Sequence, residues 1–132
     1  MPEHNNRNFR ILVVEDNPLN QKVVGMMIRN WGMSFDLCGN GRQAIEKIRE
    51  TKYDLVLMDL QMPEMNGYEA TEVIREKLGS NVPIVALTAH ESDEEREKCT
   101  AAGMNAYVTK PISEKLLSGV VSGLLQASGI HN

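Results

Sequence analysis

Three acidic residues stand at the ends of apolar runs in this sequence. The stretch LVLMDLQMPEMNG carries four apolar residues directly into Asp59, before a segment that contains proline and glycine. The stretch VVEDN ends another apolar run with Glu15 and Asp16. If the two runs are neighbouring parallel strands, about 5 Å apart, the three carboxylates converge and repel one another. A hard divalent cation relieves this repulsion, and Mg²⁺ takes oxygen ligands such as two carboxylates and a backbone carbonyl.

A hydroxyl group and an amine complete the set of reactive side chains. Thr88 ends the apolar run IVALT, and Lys110 follows the short run AYV. A carboxylate beside Mg²⁺, a lysine and a hydroxyl suits phosphoryl transfer, in which the protein positions the reactants and neutralises phosphoryl charge. Aspartyl phosphates are an established class of covalent intermediate, so Asp59 is the candidate nucleophile. One acid at a strand end is usually an ordinary loop residue, but five reactive groups at matched strand ends are not.

Apolar, β-rich runs alternate with helical patterns along the whole chain. Five strands are predicted, at 9–14, 34–38, 55–58, 84–88 and 106–108. The first, third and fourth are apolar on consecutive residues, which is typical of parallel strands covered by helices on both faces. Right-handed crossovers then favour a doubly wound α/β fold, a three-layer sandwich of a five-stranded parallel sheet and five helices. Ligands of such folds bind beyond the carboxyl ends of the strands.

Three helices are predicted between the first four strands. The first begins at Pro18 behind the cap residue Asn17 and ends at Gly32. Its apolar face carries Leu19, Val23, Met26 and Met27. The second helix, at about 41–50, and the third, at about 67–78, have inward apolar faces made of Ala44, Ile45 and Ile48 and of Val73, Ile74 and Leu78.

The last two helices differ in how firmly they are anchored. The fourth opens with Ser92 and has Glu95 three residues on, a capping-box pattern, and it stops at Gly103. It is mostly polar, so we expect it to be poorly anchored. The fifth helix follows Ser113 and has a wide apolar stripe made of Leu116, Leu117, Val120, Val121, Leu124 and Leu125.

Length and composition indicate one soluble domain. The 132 residues, 42% of them hydrophobic, suffice for a single core. The net charge of −4 offers no basic surface for nucleic acid or anionic membranes. No apolar run reaches the ~20 residues of a membrane span, which favours a cytoplasmic protein. We expect residues 1–8 to be disordered, 9–126 to fold and 127–132 to form a tail; Cys38 and Cys99 are predicted to lie beyond disulfide reach.

The sequence resembles the receiver domain of two-component response regulators over nearly its whole length, from Ile11 to Leu125. The stretches that carry the resemblance are VVEDNPLNQKVV, MDLQMPEMNGYEAT, IVALTAH and AGMNAYVTKPI. They look most like the receiver domain of a hybrid sensor histidine kinase. The resemblance implies a flavodoxin-like fold with the strand order 2-1-3-4-5.

The resemblance also implies a phosphorylation site and a metal site. Asp59 is expected to accept a phosphoryl group from a phosphohistidine donor. Asp16, Asp59 and the backbone carbonyl of Gln61 are expected to bind Mg²⁺ directly, and Glu15 mostly through water. The domain is expected to catalyse only its own phosphorylation and dephosphorylation.

Switching residues are implied in the same way. Lys110 is expected to pair with a phosphoryl oxygen and Thr88 to hydrogen-bond it, while Tyr107 changes rotamer. Pro111 matches the Lys-Pro step of the family, which is usually cis. The output face is expected to comprise the fourth helix, fifth strand and fifth helix. Gln61 and His90 flank the path of an attacking water and could tune the lifetime of the phosphoryl group, although a solvated loop position is the commoner role for such a histidine.

The expected partner is a histidine kinase, a histidine phosphotransfer domain, or both. Residues 17–21 and the neighbouring loops would form the docking surface, in which Leu19 is either an apolar contact or a core residue. We expect a monomer or a weak phosphorylation-dependent dimer, with no nucleic-acid or membrane contact, in the cytoplasm or as part of a membrane-anchored hybrid kinase. Only seven residues follow Leu125, so no DNA-binding domain is expected after it.

The sequence fits three alternative functions less well. The stretch GNGRQA, residues 39–44, matches a relaxed dinucleotide-binding pattern, but it lies in the second βα unit and also fits a helix capped by Asn40. A phosphatase of the haloacid dehalogenase type needs a second acid where this chain has Gln61. A receiver that is never phosphorylated would not need the complete set of acids, threonine and lysine.

Met62 and Met65 are either core filler or partner contacts.

Overall fold

A computed structural model of the protein describes residues 9–129. Strands and helices alternate along these residues in the order β1 (Arg10–Val14), α1 (Pro18–Asn30), β2 (Ser34–Cys38), α2 (Gly41–Glu50), β3 (Leu55–Asp59), α3 (Gly67–Glu76), β4 (Ile84–Thr88), α4 (Asp93–Ala102), β5 (Ala106–Thr109) and α5 (Glu114–Gly129). Every predicted element is present. The segment 1–8, predicted to be disordered, and residues 130–132 lie outside the described residues. Residues 127–129, which were predicted to belong to a tail, continue α5.

The described strands form one parallel sheet in the order β2-β1-β3-β4-β5, so the predicted doubly wound fold is confirmed. In the central pair, Val14 of β1 lies opposite Met58 of β3. Farther along the sheet, Thr88 at the end of β4 lies opposite Thr109 at the end of β5. Because all the strands run in one direction, the residues that follow them meet at one edge of the sheet.

Helices cover both faces of the sheet, as the apolar runs predicted. Buried side chains on one face pack against α1 and α5, and those on the other against α2, α3 and α4. Alternate residues of a strand serve opposite faces: Leu12 and Val14 belong to one cluster, Ile11 and Val13 to the other. These four residues are fully buried. The strands that lead to the carboxyl edge of the sheet are therefore packed between two layers of helices.

The apolar face predicted for α1 packs against the sheet only in part. Leu19, Val23 and Met26 are 67%, 40% and 60% exposed. The buried face contains Val24, Gly25 and Ile28, and the fourth predicted residue, Met27, is partly buried against the same cluster. This face permits a close approach, because a Cβ on Gly25 would stand only 2.9 Å from the ring of Phe35. Apolar residues occur on both sides of α1, and only packing shows which row is buried.

The capping box expected at α4 forms only in part. The Ser92 hydroxyl accepts the Glu95 N–H as predicted, but the Glu95 carboxylate accepts a hydrogen bond from the Tyr68 hydroxyl of α3. A complete capping box is present at α3 instead, between Asn66 and Glu69. The buried residues of α4 are Cys99 and Ala102. Two small side chains bury little apolar area, so the apolar anchoring of this helix is weak, as its polar sequence predicted.

Two further expectations concern single features. Cys38 and Cys99 are both buried and free, which confirms that they form no disulfide. Met62 and Met65 are partly buried and pack against the core on the side of α2 to α4, which favours the core role for both. Within residues 9–129, no helix combines the length and apolar character needed to cross a membrane.

Candidate functional site

Three carboxylates meet at the carboxyl edge of the sheet. Oxygen atoms of Glu15, Asp16 and Asp59 all lie within 4.8 Å of one another. Glu15 and Asp59 are only 1% and 3% exposed, whereas Asp16 is open to solvent. The convergence follows from the topology, since Asp59 ends β3 and the other two residues follow its neighbour β1.

The Lys110 ammonium group approaches the two buried acids. Its Nζ atom lies 3.4 Å from Glu15 Oε1 and 3.4 Å from Asp59 Oδ1. The backbone fixes the start of this side chain, because the Lys110 N–H donates to the Thr88 carbonyl at 2.7 Å. The Lys110–Pro111 peptide bond is cis, as the Lys-Pro step predicted. One cation therefore faces two buried anions.

The negative charge around Asp59 is only partly compensated by its neighbours. Burial, and then the neighbouring charge of Glu15, raise the pKa of Asp59 above its usual range. The Gln61 N–H, 3.2 Å from Asp59 Oδ1, and Lys110 oppose this shift in pKa but do not cancel it. A set of carboxylate oxygens with unbalanced charge is the donor set that a hard divalent cation prefers. The residues present therefore fit Mg²⁺.

Thr88 lies at the same edge, one residue beyond the position that pairs with Asp59. It is 1% exposed, and its hydroxyl accepts the His90 N–H at 3.1 Å and lies 3.2 Å from the His90 carbonyl. The hydroxyl is therefore held by the loop that leads into α4. The side chain of His90 is exposed, as is Gln61.

Tyr107 is tied to α4 by a residue that the sequence did not point to. The Tyr107 hydroxyl accepts hydrogen bonds from Arg96 Nε at 3.1 Å and Nη2 at 2.9 Å. The guanidinium carbon of Arg96 also lies 5.6 Å from the centre of the Tyr107 ring. The next residue towards the start of α4, Glu95, contacts Tyr68 of α3. Polar contacts to two tyrosines thus hold α4 on both sides.

A second set of contacts that the sequence did not predict surrounds Glu15, made by residues of the stretch 17–21. Its Oε2 atom accepts the Asn17 N–H at 3.2 Å and Asn20 Nδ2 at 3.4 Å. Its backbone carbonyl accepts Gln21 Nε2 at 2.7 Å. Asn17 also caps α1 as predicted, by accepting the Asn20 N–H. Helical spacing places such residues on one turn, but it does not say that they face a buried acid.

The glycine-containing stretch after β2 forms a capped helix start. The Asn40 side chain accepts the Gln43 N–H at 2.8 Å, and the Gly39 N–H donates to Gln43 Oε1 at 2.7 Å. These contacts occupy the amides that a dinucleotide pyrophosphate would need. The capped-turn interpretation is the one that fits.

The family to which the chain belongs follows from comparison with known sequences. A sequence model described as response regulator receiver domain matches residues 11–122. The chain therefore belongs to the family of response regulator receiver domains, which act in two-component signalling.

Similar proteins include histidine kinases. Signal transduction histidine-protein kinase BarA of Escherichia coli K12 is 37% identical over 123 residues, which are 92% of this chain and 13% of that protein. Sensor protein GacS of Pseudomonas syringae pv. syringae is 42% identical over 124 residues, which are 91% of this chain and 14% of that protein. The chain thus spans a small part of the length of these relatives.

Two solved structures are informative. The receiver domain of sensor histidine kinase PA1611 from Pseudomonas aeruginosa PAO1, with a magnesium ion in its active site cleft, is 40% identical with a TM-score of 0.82, covering 89% of this chain and 98% of that one. A chain in the complex of the Saccharomyces cerevisiae phosphotransfer protein Ypd1 with the receiver domain of Ssk1 is 33% identical with a TM-score of 0.87, covering 95% and 94% of the two chains.

Proposed function

We propose that this domain is a phosphoacceptor in a two-component phosphorelay, with Asp59 as the residue that is phosphorylated. The observation that carries the proposal is the buried carboxylate of Asp59, which has Glu15 and Asp16 on one side and Lys110 at 3.4 Å. An acid that only forms a structural ion pair at the surface would need neither to be buried nor to have a second buried carboxylate, Glu15, beside it. Membership of the receiver family supports the same assignment.

In the reaction, a carboxylate oxygen of Asp59 bonds to phosphorus as the phosphorus–nitrogen bond of the phosphohistidine donor breaks. The imidazole leaves with the bonding electron pair. Before the transfer the Lys110 ammonium group contacts the Asp59 carboxylate, and afterwards it would pair with a phosphoryl oxygen. The domain's contribution is to hold the nucleophile in place and to balance charge.

Four residues would hold Mg²⁺ in this site. Asp16, Asp59 and the backbone carbonyl of Gln61 would bind the ion directly, and Glu15 mostly through water. In that position the ion would offset the negative charge of the acids and of the phosphoryl oxygens. The carboxylate cluster supports this assignment, as does the magnesium ion in the PA1611 receiver domain.

Phosphorylation would switch the face formed by α4, β5 and α5. A phosphoryl group on Asp59 offers Thr88 an acceptor that competes with the His90 backbone. Movement of Thr88 would shift the loop that leads into α4 and free Tyr107 to change rotamer. The few buried residues of α4 make it the element most easily displaced.

Dephosphorylation would be the only other reaction, and a slow one. Gln61 and His90 stand in the loops beside Asp59 and would set the access of water to the acyl phosphate. A phosphatase with rapid turnover would need an acid in place of Gln61. The lifetime of the phosphoryl group would then suit a signal rather than a catalytic cycle.

The partner would be a histidine kinase or a histidine phosphotransfer domain that docks on the start of α1. Leu19 is 67% exposed, which supports its role as a contact rather than a core residue. The relative in complex with Ypd1 supports a phosphotransfer partner. We propose that the domain acts in the cytoplasm, alone or within a hybrid kinase. It would be a monomer or a weak phosphorylation-dependent dimer and would bind no nucleic acid.

A phosphotransfer assay tests this proposal. The domain is phosphorylated with labelled acetyl phosphate and Mg²⁺, cleared of reagent, and mixed with candidate phosphotransfer domains. A variant of each candidate that lacks its histidine serves as the control. The label should move to the cognate partner within minutes and stay with the domain beside the control. Retention of the label for hours with every candidate, together with stable dimers through α4 and α5, would contradict the relay role.

A further inference from the structure

Glu15 is held by α1 as well as by the sheet. Its carboxylate, 1% exposed, accepts the Asn17 N–H and Asn20 Nδ2 from the start of the helix, and Lys110, the residue after β5, approaches it. A buried carboxylate with several donors has one defined orientation. The side chain of Asn20 is separate from the helix cap, because the cap uses the Asn20 backbone N–H.

The peptide that joins Glu15 to Asp16 has its own support. The Glu15 N–H still bonds to the sheet, donating to the Cys38 carbonyl at 3.0 Å, but its carbonyl lies beyond the end of β1. Gln21 reaches back from α1 and donates Nε2 to that carbonyl at 2.7 Å. Since this peptide connects the two acids, its orientation sets where the Asp16 side chain begins relative to Glu15 and Asp59.

We propose that Gln21 and Asn20 are positioning residues that hold the turn Glu15–Asp16 in the geometry that binds the metal. The proposal rests on the proposed function and concerns only this chain's own side chains. Partners that orient metal ligands typically change metal affinity by about 10-fold to 100-fold when removed. Gln21, with the shorter contact, should have the larger effect.

The start of α1 therefore serves two purposes on two sides. Asn20 and Gln21 turn towards Glu15, whereas Leu19 points to solvent and is 67% exposed. Substitutions of Leu19 should therefore affect partner binding, whereas substitutions of the two polar residues should affect the geometry of the turn Glu15–Asp16. The two purposes can be separated by experiment.

The test measures Mg²⁺ binding to the unphosphorylated domain by isothermal titration calorimetry. Gln21→Met keeps the length of the side chain and removes the donor; Asn20→Ala removes the second donor and leaves the cap. Gln126→Met, the same change at an exposed glutamine of α5, is the control. The Kd for Mg²⁺ should rise about ten-fold in Gln21→Met, less in Asn20→Ala, and stay unchanged in the control. Melting temperatures in EDTA should match the control.

Two results would overturn the inference. One is wild-type Mg²⁺ affinity in both variants. The other is a large fall in the melting temperature without metal, combined with a loss of Mg²⁺ affinity that the unfolded fraction of the variant fully accounts for. That combination would indicate a purely structural role. If the wild-type domain itself binds no Mg²⁺, the metal assignment of the proposed function fails along with the inference; if it binds normally and the variants do too, only the inference fails.

Discussion

At the scale of single residues, the site depends on a charge that the fold leaves unbalanced. Burial and Glu15 raise the pKa of Asp59, and Lys110 offsets only part of this shift. The types and places of these residues were predictable, because strand ends in a parallel sheet share one edge. The supporting contacts of Arg96, Asn20 and Gln21 were not, since they depend on side-chain directions that arise only after the helices have packed.

Thr88→Ala should accept a phosphoryl group and fail to switch. The hydroxyl is expected to hydrogen-bond the phosphoryl oxygen and not to act as the nucleophile. Its loss should therefore keep the rate of phosphorylation by acetyl phosphate within about three-fold of wild type, which is a small change in the activation free energy. NMR spectra of α4 and Tyr107 should then lack the shifts seen in the phosphorylated wild type. Thr88→Ser, which keeps the hydroxyl, is the control. Wild-type shifts in phosphorylated Thr88→Ala would refute this role.

At the scale of elements, the sequence predicted where each helix and strand lies better than it predicted which side faces inward. Continuous apolar runs identified β1, β3 and β4, because both faces of those strands are covered. The apolar residues of α1 lie on two sides; of those predicted to face inward, Leu19 and Met26 are exposed, whereas Met27 packs against the core. At α4 the Glu95 carboxylate was expected to bond to the backbone of the cap residue Ser92, but it accepts a hydrogen bond from Tyr68 of another helix instead.

The edge strand β2 provides a prediction on pH. The Tyr53 hydroxyl donates to Asp36 Oδ2 at 2.6 Å and, with help from Arg10, lowers the pKa of Asp36. A carboxyl whose pKa is lowered by folding adds stability above its unfolded pKa, and that stability is lost as pH falls through the folded pKa. Tyr53→Phe should therefore lower the free energy of unfolding by about 1 kcal/mol at pH 7 and by less below pH 3.

Urea unfolding at several pH values measures this effect. Asp36→Asn serves as the matched variant, because it removes the titrating group and should show the same weakened dependence on acid. A loss in Tyr53→Phe that is equal at pH 7 and at pH 3 would assign the effect to the missing hydroxyl itself, independent of the charge on the Asp36 carboxylate.

At the scale of the whole molecule, the sheet separates the surface proposed for docking from the helix proposed to switch. α1 and α5 cover one face, and α4 packs with α2 and α3 on the other. Both surfaces reach the carboxyl edge where Asp59 lies. A partner on α1 could therefore exchange a phosphoryl group while α4 remains free to respond.

Leu19→Lys should slow phosphotransfer to the partner without slowing phosphorylation by acetyl phosphate. An apolar contact at the centre of an interface is worth about 1–2 kcal/mol, so transfer should slow about ten-fold. Leu37→Lys, at an exposed leucine of β2, is the control. Transfer rates come from rapid-quench mixing with labelled domain. Equal slowing by both substitutions, or by neither, would argue against docking on α1.

The most direct test of the central claim is the intact mass of the domain after incubation with acetyl phosphate and Mg²⁺. Wild type and Asp93→Asn, an exposed aspartate of α4, should each gain one phosphoryl group, and peptide mapping should place it on Asp59. Asp59→Asn should gain none, and wild type should gain none in EDTA. Phosphorylation of Asp59→Asn at the wild-type rate would contradict the assignment of Asp59 as the phosphoacceptor.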